Sequence, residues 1–388
     1  MGALIHPLPV GAREERRGEG DVQSDIFACQ RIVEYYFGPF RTRAFFREPG
    51  NTKVKRPLVV HIDATESILE LERKALAGID CEIVSVAVSS EGEIIEAVKK
   101  ATVILNDHSP VTRAMVDQLE NCKLIIRYGH GYDTVDVDAC TEAGIIVTNI
   151  AGSTSEEVSN HALTLMLASA REIKRLDLAT TSGRWDEVYS RSILNQIYGE
   201  TVGIVGFGWI GRAMARKCKA LGMDVLVNDP YVGDHLAVEY QVAFVSKDEL
   251  LERSDYVSLH VPHLEGTHHF IDAAALELMK PTAYLVNTSR GPVVDEHALI
   301  AALQAGKIAG AGIDVFEQEP LSTDNPLLNM ENVICTPHIA GSSEIGWEII
   351  RRRAGEEAAR LLRGERPEVV VNPEVLGRMV LPPSRGGS

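Results

Sequence analysis

Long apolar runs are missing from this 388-residue chain. No stretch reaches the length of a bilayer-spanning helix, which excludes a helical membrane protein. Paired cysteines are missing too. The six (Cys29, Cys81, Cys122, Cys140, Cys218 and Cys335) are scattered with no CxxC, so no disulfide frame or zinc site is implied and the thiols are expected to be reduced in a cytoplasmic protein. Positive charge is short: 39 Lys and Arg face 55 Asp and Glu, a formal net charge of −16. That balance argues against nucleic acid or an anionic membrane surface as a partner. An anionic small molecule would need local cations to hold it. A secretory leader is not expected, because MGALIHPLPVGAREERRGEGD turns charged after a brief apolar start.

What is present is ordinary in amount: 45% hydrophobic and 24% charged residues, in a length that suggests two domains. Aromatics are few, 6% of the chain, but unevenly placed. Five of the nine phenylalanines (Phe27, Phe37, Phe40, Phe45, Phe46) crowd into Asp25 to Arg47, where Ile26, Cys29, Ile32, Val33 and Tyr36 have helical spacing up to Gly38-Pro39. We expect this part of the N-terminal extension, residues 1–56, to pack on the folded body or on a second subunit, so that removing residues 25–47 lowers stability or changes the oligomer.

From Pro57 the text alternates between strand and helix. Strands are predicted at 58–63, 81–87, 102–106, 124–129 and 144–149, and a long helix from Glu156 to about Ala179 follows. Further strands are predicted at 242–246, 256–261, 283–289, 310–315 and 333–337, and a charged helix from Ser343 to Arg363. Alternation of this kind specifies α/β architecture with doubly wound parallel sheets. In such sheets, ligands sit beyond the carboxyl ends of the strands.

The most informative stretch is TVGIVGFGWIGRAMARKCKALGMDVLVNDPY, 201–231. A strand at Val202 to Val205 turns through Gly206, Gly208 and Gly211 into a helix from about Ile210 to Leu221. A second strand, Asp224 to Val227, ends at Asn228 and Asp229. Gly206 permits the turn, Gly208 lets a pyrophosphate approach the backbone, and Gly211 lets the helix lie close to the strand. The helix N-terminus presents unpaired N–H groups to phosphate. Asp229, 18 residues after Gly211, stands where a carboxylate can accept both ribose hydroxyls. Strand, helix and acid are all in place, so this is read as a dinucleotide site. Asp229 would repel a 2′-phosphate and no neighbouring cation would receive one, which favours NAD over NADP.

Three strand ends downstream carry candidate chemistry. NTSRG, 287–291, sets Arg290 in a turn, where a guanidinium can bind a carboxylate with two parallel bonds and polarise the adjacent carbonyl. GIDVFEQEP, 312–320, brings Glu319, and TPHIAGS, 336–342, brings His338. A histidine beside a glutamate can hold a proton and deliver it to a carbonyl oxygen.

With these motifs in order, and with RYGHGYDTVDVDACTEAGIIVTN (127–149) and EEVSNHALTLMLASARE ahead of them, the chain resembles the D-2-hydroxyacid dehydrogenase family from about Pro57 to Val375. The likeness is to the branch of C-terminal-binding-protein-like and D-3-phosphoglycerate-dehydrogenase-like enzymes. The resemblance implies a cofactor domain at 151–340 inserted into a discontinuous substrate domain, 57–150 completed within 341–388, and a homodimer. It implies that His338 is the acid/base, Glu319 its partner and Arg290 the carboxylate-binding residue. Asp314 would lie near the nicotinamide. Trp209, Ile210, Thr288, Ser289, Ala340 and Gly341 would join Gly206, Gly208, Gly211, Asp229, Arg290 and His338 around NAD. Gly129 and Gly131 would meet the substrate carboxylate from the other domain.

The implied reaction is hydride transfer between nicotinamide and a 2-oxo or D-2-hydroxy acid. Relatives of this fold that act as NAD(H)-sensing corepressors, or that oxidise phosphite or formate, supply the alternatives. Two departures stand out. Val158-Ser159-Asn160 replaces the common Val-Ala-Glu, and His130 replaces an apolar residue between the two loop glycines. With His108 on the neighbouring strand-end loop, His130 raises the expectation of a substrate carrying a second polar or anionic group.

Overall fold

The computed structural model describes residues 56–64, 69–86, 90–189, 194–233 and 235–377. The aromatic N-terminal segment lies outside the described residues, as does the expectation attached to it. Residues Val54–Ser388 form one compact unit containing both sheets.

The first sheet is built from β1 (Leu58–His61), β2 (Glu82–Ser85), β3 (Val103–Asn106), β4 (Leu124–Arg127) and β5 (Ile146–Asn149). Helices α1 (Glu70–Ala75), α2 (Glu91–Val98), α3 (Arg113–Val116) and α4 (Val137–Glu142) connect the strands. The order is β2-β1-β3-β4-β5, with every pairing parallel. Alternate residues go to opposite faces, as the strand period requires. Val59, Leu105, Ile126 and Ile146 join one core, while Val60, Ile104, Ile125 and Val147 join the other. With both faces covered, the strands read as nearly unbroken hydrophobic runs.

Two helices, α5 (Ser155–Ala170) and α6 (Ile173–Thr181), then cross to the second sheet, followed by the short α7 (Trp185–Tyr189). The single long helix expected over this stretch is thus two. Its helical period runs through the break and hides it. At the junction Glu172 adopts a left-handed backbone, φ 49°, and its N–H turns back to the Ser169 carbonyl. The break redirects α6 so that Lys174 Nζ reaches the Met330 and Val333 carbonyls, at 2.9 and 2.7 Å.

The second sheet contains β6 (Thr201–Val205), β7 (Asp224–Asn228), β8 (Ala243–Phe244), β9 (Tyr256–Leu259), β10 (Tyr284–Asn287), β11 (Gly310–Ile313) and β12 (Val333–Cys335). Interleaved are α8 (Trp209–Ala220), α9 (His235–Tyr240), α10 (Lys247–Arg253), α11 (Ala273–Leu278) and α12 (Glu296–Gln304). The order β12-β11-β10-β9-β6-β7-β8 is parallel throughout. Strand order reverses between β6 and β9, which is where such a sheet opens a ligand crevice.

The chain then returns to the first sheet. Helix α13 (Glu344–Leu362) sends Ile350, Ala354, Ala358 and Leu361 into the same core as Val59. It lies so close to α1 that a Cβ on Gly355 would come within 2.7 Å of Ala75 Cβ. Beyond it, Asn372 accepts from Val147 N–H at 2.8 Å and donates to the Ile145 carbonyl at 2.9 Å, tying the C-terminal segment to β5.

Candidate active site

The turn after β6 has the geometry expected for a dinucleotide. Gly206 has φ +91°, and a Cβ on it would lie 2.7 Å from the His260 carbonyl oxygen. A Cβ on Gly211 would lie 2.1 Å from the Gly206 carbonyl oxygen, so the helix start can rest on the turn only as glycine. Gly208 differs from both: a Cβ there would point into open space, and α8 begins at it without a side-chain cap. A phosphate is therefore offered uncovered backbone and free helix N–H groups. Asp229 sits at the end of β7, accepting from Phe207 N–H at 2.7 Å and Tyr231 N–H at 2.9 Å. Each oxygen keeps a further lone pair for a ribose hydroxyl. The Trp209 ring lies against Gly152, its nearest carbon 3.4 Å from the position of a Cβ. Thr288 is buried, and its Oγ1 has no partner among the described residues.

Residues following β10, β11 and β12 meet at one edge, because Asn287 is in register with Ile313 and Ile313 with Cys335. After β10, Asn287 Oδ1 accepts from both the N–H and the hydroxyl of Ser289, and its Nδ2 donates to the Arg290 carbonyl. This local turn aims Arg290 outward. Gly291 lies directly on the next segment, where a Cβ would be 1.9 Å from the Phe316 carbonyl carbon. Arg290 and Glu319 are neighbours for that reason.

Asp314, fully buried, braces the third segment. Its carboxylate accepts from Thr336 Oγ1 at 2.6 Å, Ile339 N–H at 3.0 Å and Ala340 N–H at 2.9 Å. His161 Nε2 approaches it at 3.5 Å. Asp314 thus shapes the loop that carries His338 and Ala340, a task beyond the cofactor contact expected of it. His338 has a left-handed backbone, φ 51°, held by bonds from its N–H to the Asp314 and Thr336 carbonyls.

His338 Nδ1 meets Glu319 Oε2 at 2.7 Å, and Glu319 Oε1 accepts from Phe316 N–H at 3.0 Å. Burial pushes the Glu319 carboxyl up, but the hydrogen bonds from His338 and Phe316 and the charges of His338 and Arg290 bring it below its ordinary value. An ionised carboxylate only accepts, so the proton of the pair sits on Nδ1 and Nε2 is left for a reacting group.

The two other histidines part company. His108 and His130 follow the adjacent strands β3 and β4, yet their rings go different ways. The His108 side chain is 75% exposed, over a loop whose N–H groups at 107–109 all converge on the buried carboxylate of Asp63. His130 instead turns to the start of α5, with Nε2 near Gly152 N–H at 2.9 Å and Ser155 Oγ at 3.1 Å, and Nδ1 near Thr154 Oγ1 at 3.3 Å. Burial, reinforced by the charges of Arg290, Arg353 and Arg127, lowers its pKa to about 4. The two imidazoles expected at the distal end of a substrate thus have different neighbours. His130 is buried against the start of α5, and His108 is exposed beside the Asp63 and Asp107 carboxylates, at 3.5 and 3.6 Å.

Burial keeps other histidines neutral: His61 is lowered to about 4 and His260 to about 3. Their folded-state pKa values lie below the unfolded 6.5, so below that pH the unfolded chain binds more protons than the folded one. Stability is then complete above about pH 6.5 and falls toward pH 4, each such histidine costing about 2 kcal/mol at pH 5. Urea midpoints measured from pH 8 to pH 4.5 should fall chiefly below pH 6.5. A flat profile there would mean that these rings are protonated in the folded state.

Residues 163–340 match the family model described as the NAD-binding domain of D-isomer-specific 2-hydroxyacid dehydrogenases. A glyoxylate reductase from Korarchaeum cryptofilum is 40% identical over 290 residues, covering 74% of this chain and 87% of its own length. The chain belongs to the D-2-hydroxyacid dehydrogenase family. A D-3-phosphoglycerate dehydrogenase from Methanocaldococcus jannaschii is 40% identical over 72% of this chain, though the match spans only 53% of that longer protein. The crystal structure of D-lactate dehydrogenase from Aquifex aeolicus, in complex with NAD and lactic acid, superimposes with a TM-score of 0.72 at 30% identity, over 81% of this chain and 99% of that one. The two parallel-sheet domains of the family are the two sheets described here, and its NAD-binding domain contains the Gly206–Gly211 turn.

For a D-2-hydroxyacid dehydrogenase, several positions important to this site escaped sequence reasoning. Asp133, Asn287, Thr336 and Asp63 all shape it, and none stood out. A carboxylate two residues beyond Gly131 was visible in GYDTVD, but no local signal ties it to Arg290, 157 positions away.

Proposed function

We propose that this enzyme reduces a 2-oxo acid to the D-2-hydroxy acid with NADH, and catalyses the reverse with NAD. The observation that carries the reading is the His338–Glu319 pair at a strand end beside Arg290. When bound, the reduced nicotinamide supplies the hydride for the carbonyl carbon. Arg290 holds the substrate carboxylate and polarises the carbonyl, with the Gly129–Gly131 backbone on the other side. His338 Nε2 gives its proton to the carbonyl oxygen, and Glu319 stabilises the imidazolium beforehand and fixes its tautomer. Steady-state NADH oxidation by the purified protein, with glyoxylate, longer alkyl 2-oxo acids and a phosphorylated 2-oxo acid, tests this. Failure to oxidise NADH with any of them would overturn it.

The assignment of Asp229 to the adenosine ribose makes the cofactor preference a separate expectation. kcat/KM with NADH should exceed that with NADPH, and Asp229→Ala should narrow the gap, because a carboxylate at this point opposes a 2′-phosphate. Equal efficiency of the wild type with both cofactors would contradict it. A substrate with a distal anion remains open through groups other than His130. His130→Val should leave the specificity ratio between phosphorylated and alkyl substrates unchanged, and should cost about 1–3 kcal/mol of stability from the lost bond to Gly152 N–H. A mutant with a shifted ratio would restore the ring to the substrate pocket.

We also take the substrate domain to be 57–150 with 341–375, the cofactor domain to be 151–340, and the assembly to be a cytoplasmic homodimer. Exposed Ile173, Leu178, Trp185, Tyr189 and Tyr198 near α6 and α7 support a subunit contact there. Sedimentation analysis of Trp185→Glu tests the dimer: a wild-type monomer, or a variant that still dimerises fully, would count against it.

A further inference from the structure

Arg290 belongs to the second sheet, but the first sheet's β4–α4 loop grips its guanidinium. Nε donates to Asp133 Oδ1 at 2.9 Å. Nη1 donates to its neighbour's carbonyl, Ser289 O, at 2.7 Å. Nη2 lies over Gly131, so closely that a Cβ there would be 1.4 Å from it. The plane of the group is thus set from both domains, and the Nη2 edge is presented beside the loop backbone. Only a glycine at 131 permits this approach.

Burial opposes ionisation of Asp133, yet the charge and hydrogen bond of Arg290 hold its carboxyl below the ordinary value. The two side chains are 23% and 43% exposed. At that exposure an ion pair adds only modestly to global stability, a coupling that a double-mutant cycle still resolves. Its effect is on position, and a displacement of about 1 Å in a substrate-binding group can cost 100-fold in rate.

We propose that Asp133 is a positioning residue for the reaction: it docks Arg290 across the cleft, so that the guanidinium and the Gly129–Gly131 backbone form one carboxylate site when the domains meet. The proposal rests on the reading of Arg290 as the carboxylate-binding residue. It assigns Asp133 the Nε edge of the guanidinium, leaving Nη2 to the substrate. Because Asp133 and the two glycines share one loop, any motion of that loop moves the substrate's backbone contacts and its cation together.

The test is a cycle of Asp133→Ala and Arg290→Lys, with Asp133→Asn as the conservative variant. In the wild-type background, Asp133→Ala should raise KM for the best 2-oxo acid about tenfold, with a smaller fall in kcat. Asparagine keeps an oxygen to accept from Nε and should recover most of the loss. A lysine has no Nε–H at that place, so Asp133→Ala should add less than about twofold in the Arg290→Lys background. Equal losses in both backgrounds, an asparagine variant as impaired as alanine, or an alanine variant within twofold of wild type would each overturn the proposal.

Melting temperatures of the same proteins, saturated with NADH, supply a readout that needs no turnover. Losses that fail to add support the docking contact, and additive losses refute it. If the wild type turns over no 2-oxo acid, the functional reading falls and the melting cycle alone decides whether Asp133 and Arg290 are coupled.

Discussion

Replacing His338 with alanine should lower kcat by about 10²–10⁴-fold, the usual contribution of a positioned general acid, while NADH still binds. On the proposed reading the ring supplies the proton, and the adenine half of the cofactor would lie at the Gly206–Gly211 turn and Asp229. The geometry makes the loss specific to the chemical step. Nδ1 is committed to Glu319 at 2.7 Å, so Nε2 is the nitrogen left for a reacting group. The backbone of His338 is held by its N–H bonds and by the Asp314 bonds to the two residues that follow, so an alanine there should keep the loop in place. Glu319→Gln is the graded comparison. Its amide oxygen can still accept from Nδ1 but no longer stabilises a charged ring, so kcat should fall by less than in His338→Ala. The measurements are kcat by NADH absorbance and NADH affinity by fluorescence. A His338→Ala enzyme with near-normal turnover would remove the histidine from the chemistry.

The second large effect is on stability, and it lies behind the Gly129–Gly131 loop. Glu72 is wholly buried. Arg351 Nε and Nη2 donate to its two oxygens, each at 2.9 Å, and Tyr128 donates its hydroxyl at 3.0 Å. The His61 ring stands edge-on to Tyr128, with centroids 4.9 Å apart. Burial, with the Glu72 carboxylate beside it, pushes the Tyr128 phenol far above its ordinary pKa. Arg351→Met should destabilise the protein by about 3–5 kcal/mol, since it strands a carboxylate without its cation. Glu72→Gln with Arg351→Met should recover most of that loss, because the charge is then gone from both sides. Urea denaturation of the single and double variants distinguishes this from a plain packing defect. A double variant no more stable than Arg351→Met would contradict the account. Tyr128 immediately precedes Gly129, so KM for the 2-oxo acid should rise in the single variant as well.

How much of this was readable beforehand depended on how local each signal is. The parallel sheets follow from alternating strand and helix periods, a property of neighbouring residues, and the strands lie where their apolar runs lie, most of them short of the predicted ends by a residue or two and β6 and β7 one residue longer. The glycine turn could be read from the local spacing of its glycines between strand and helix, although the crowding of Gly206 by the His260 carbonyl comes from 54 positions away. His338, Glu319 and Arg290 were singled out because ligands gather at strand ends, not because anything in the text pairs them. The split of the long helix at Glu172 was hidden, since a break that preserves the apolar period leaves no pattern. The orientation of the His130 ring was hidden for a related reason. The sequence placed it correctly between two glycines, but the direction of a ring is set by what packs around it, here the N–H of Gly152 and the hydroxyls of Thr154 and Ser155.

The sequence alone therefore determined the two α/β layers, the dinucleotide turn and the identity of the polar strand ends, because each depends on periodicity or on backbone sterics over short distances. The tertiary structure alone decided which of those ends touch. It joined His338 to Glu319 and bent Asp314 into the loop that carries the histidine. It carried Asp133 to Arg290 from the other sheet and returned α13 to cover Glu72. Such contacts between residues far apart in the chain arise where separate elements bury their surfaces together. The direction and charge state of each polar side chain are then set by the partners it meets there, and no stretch of sequence contains those partners at once.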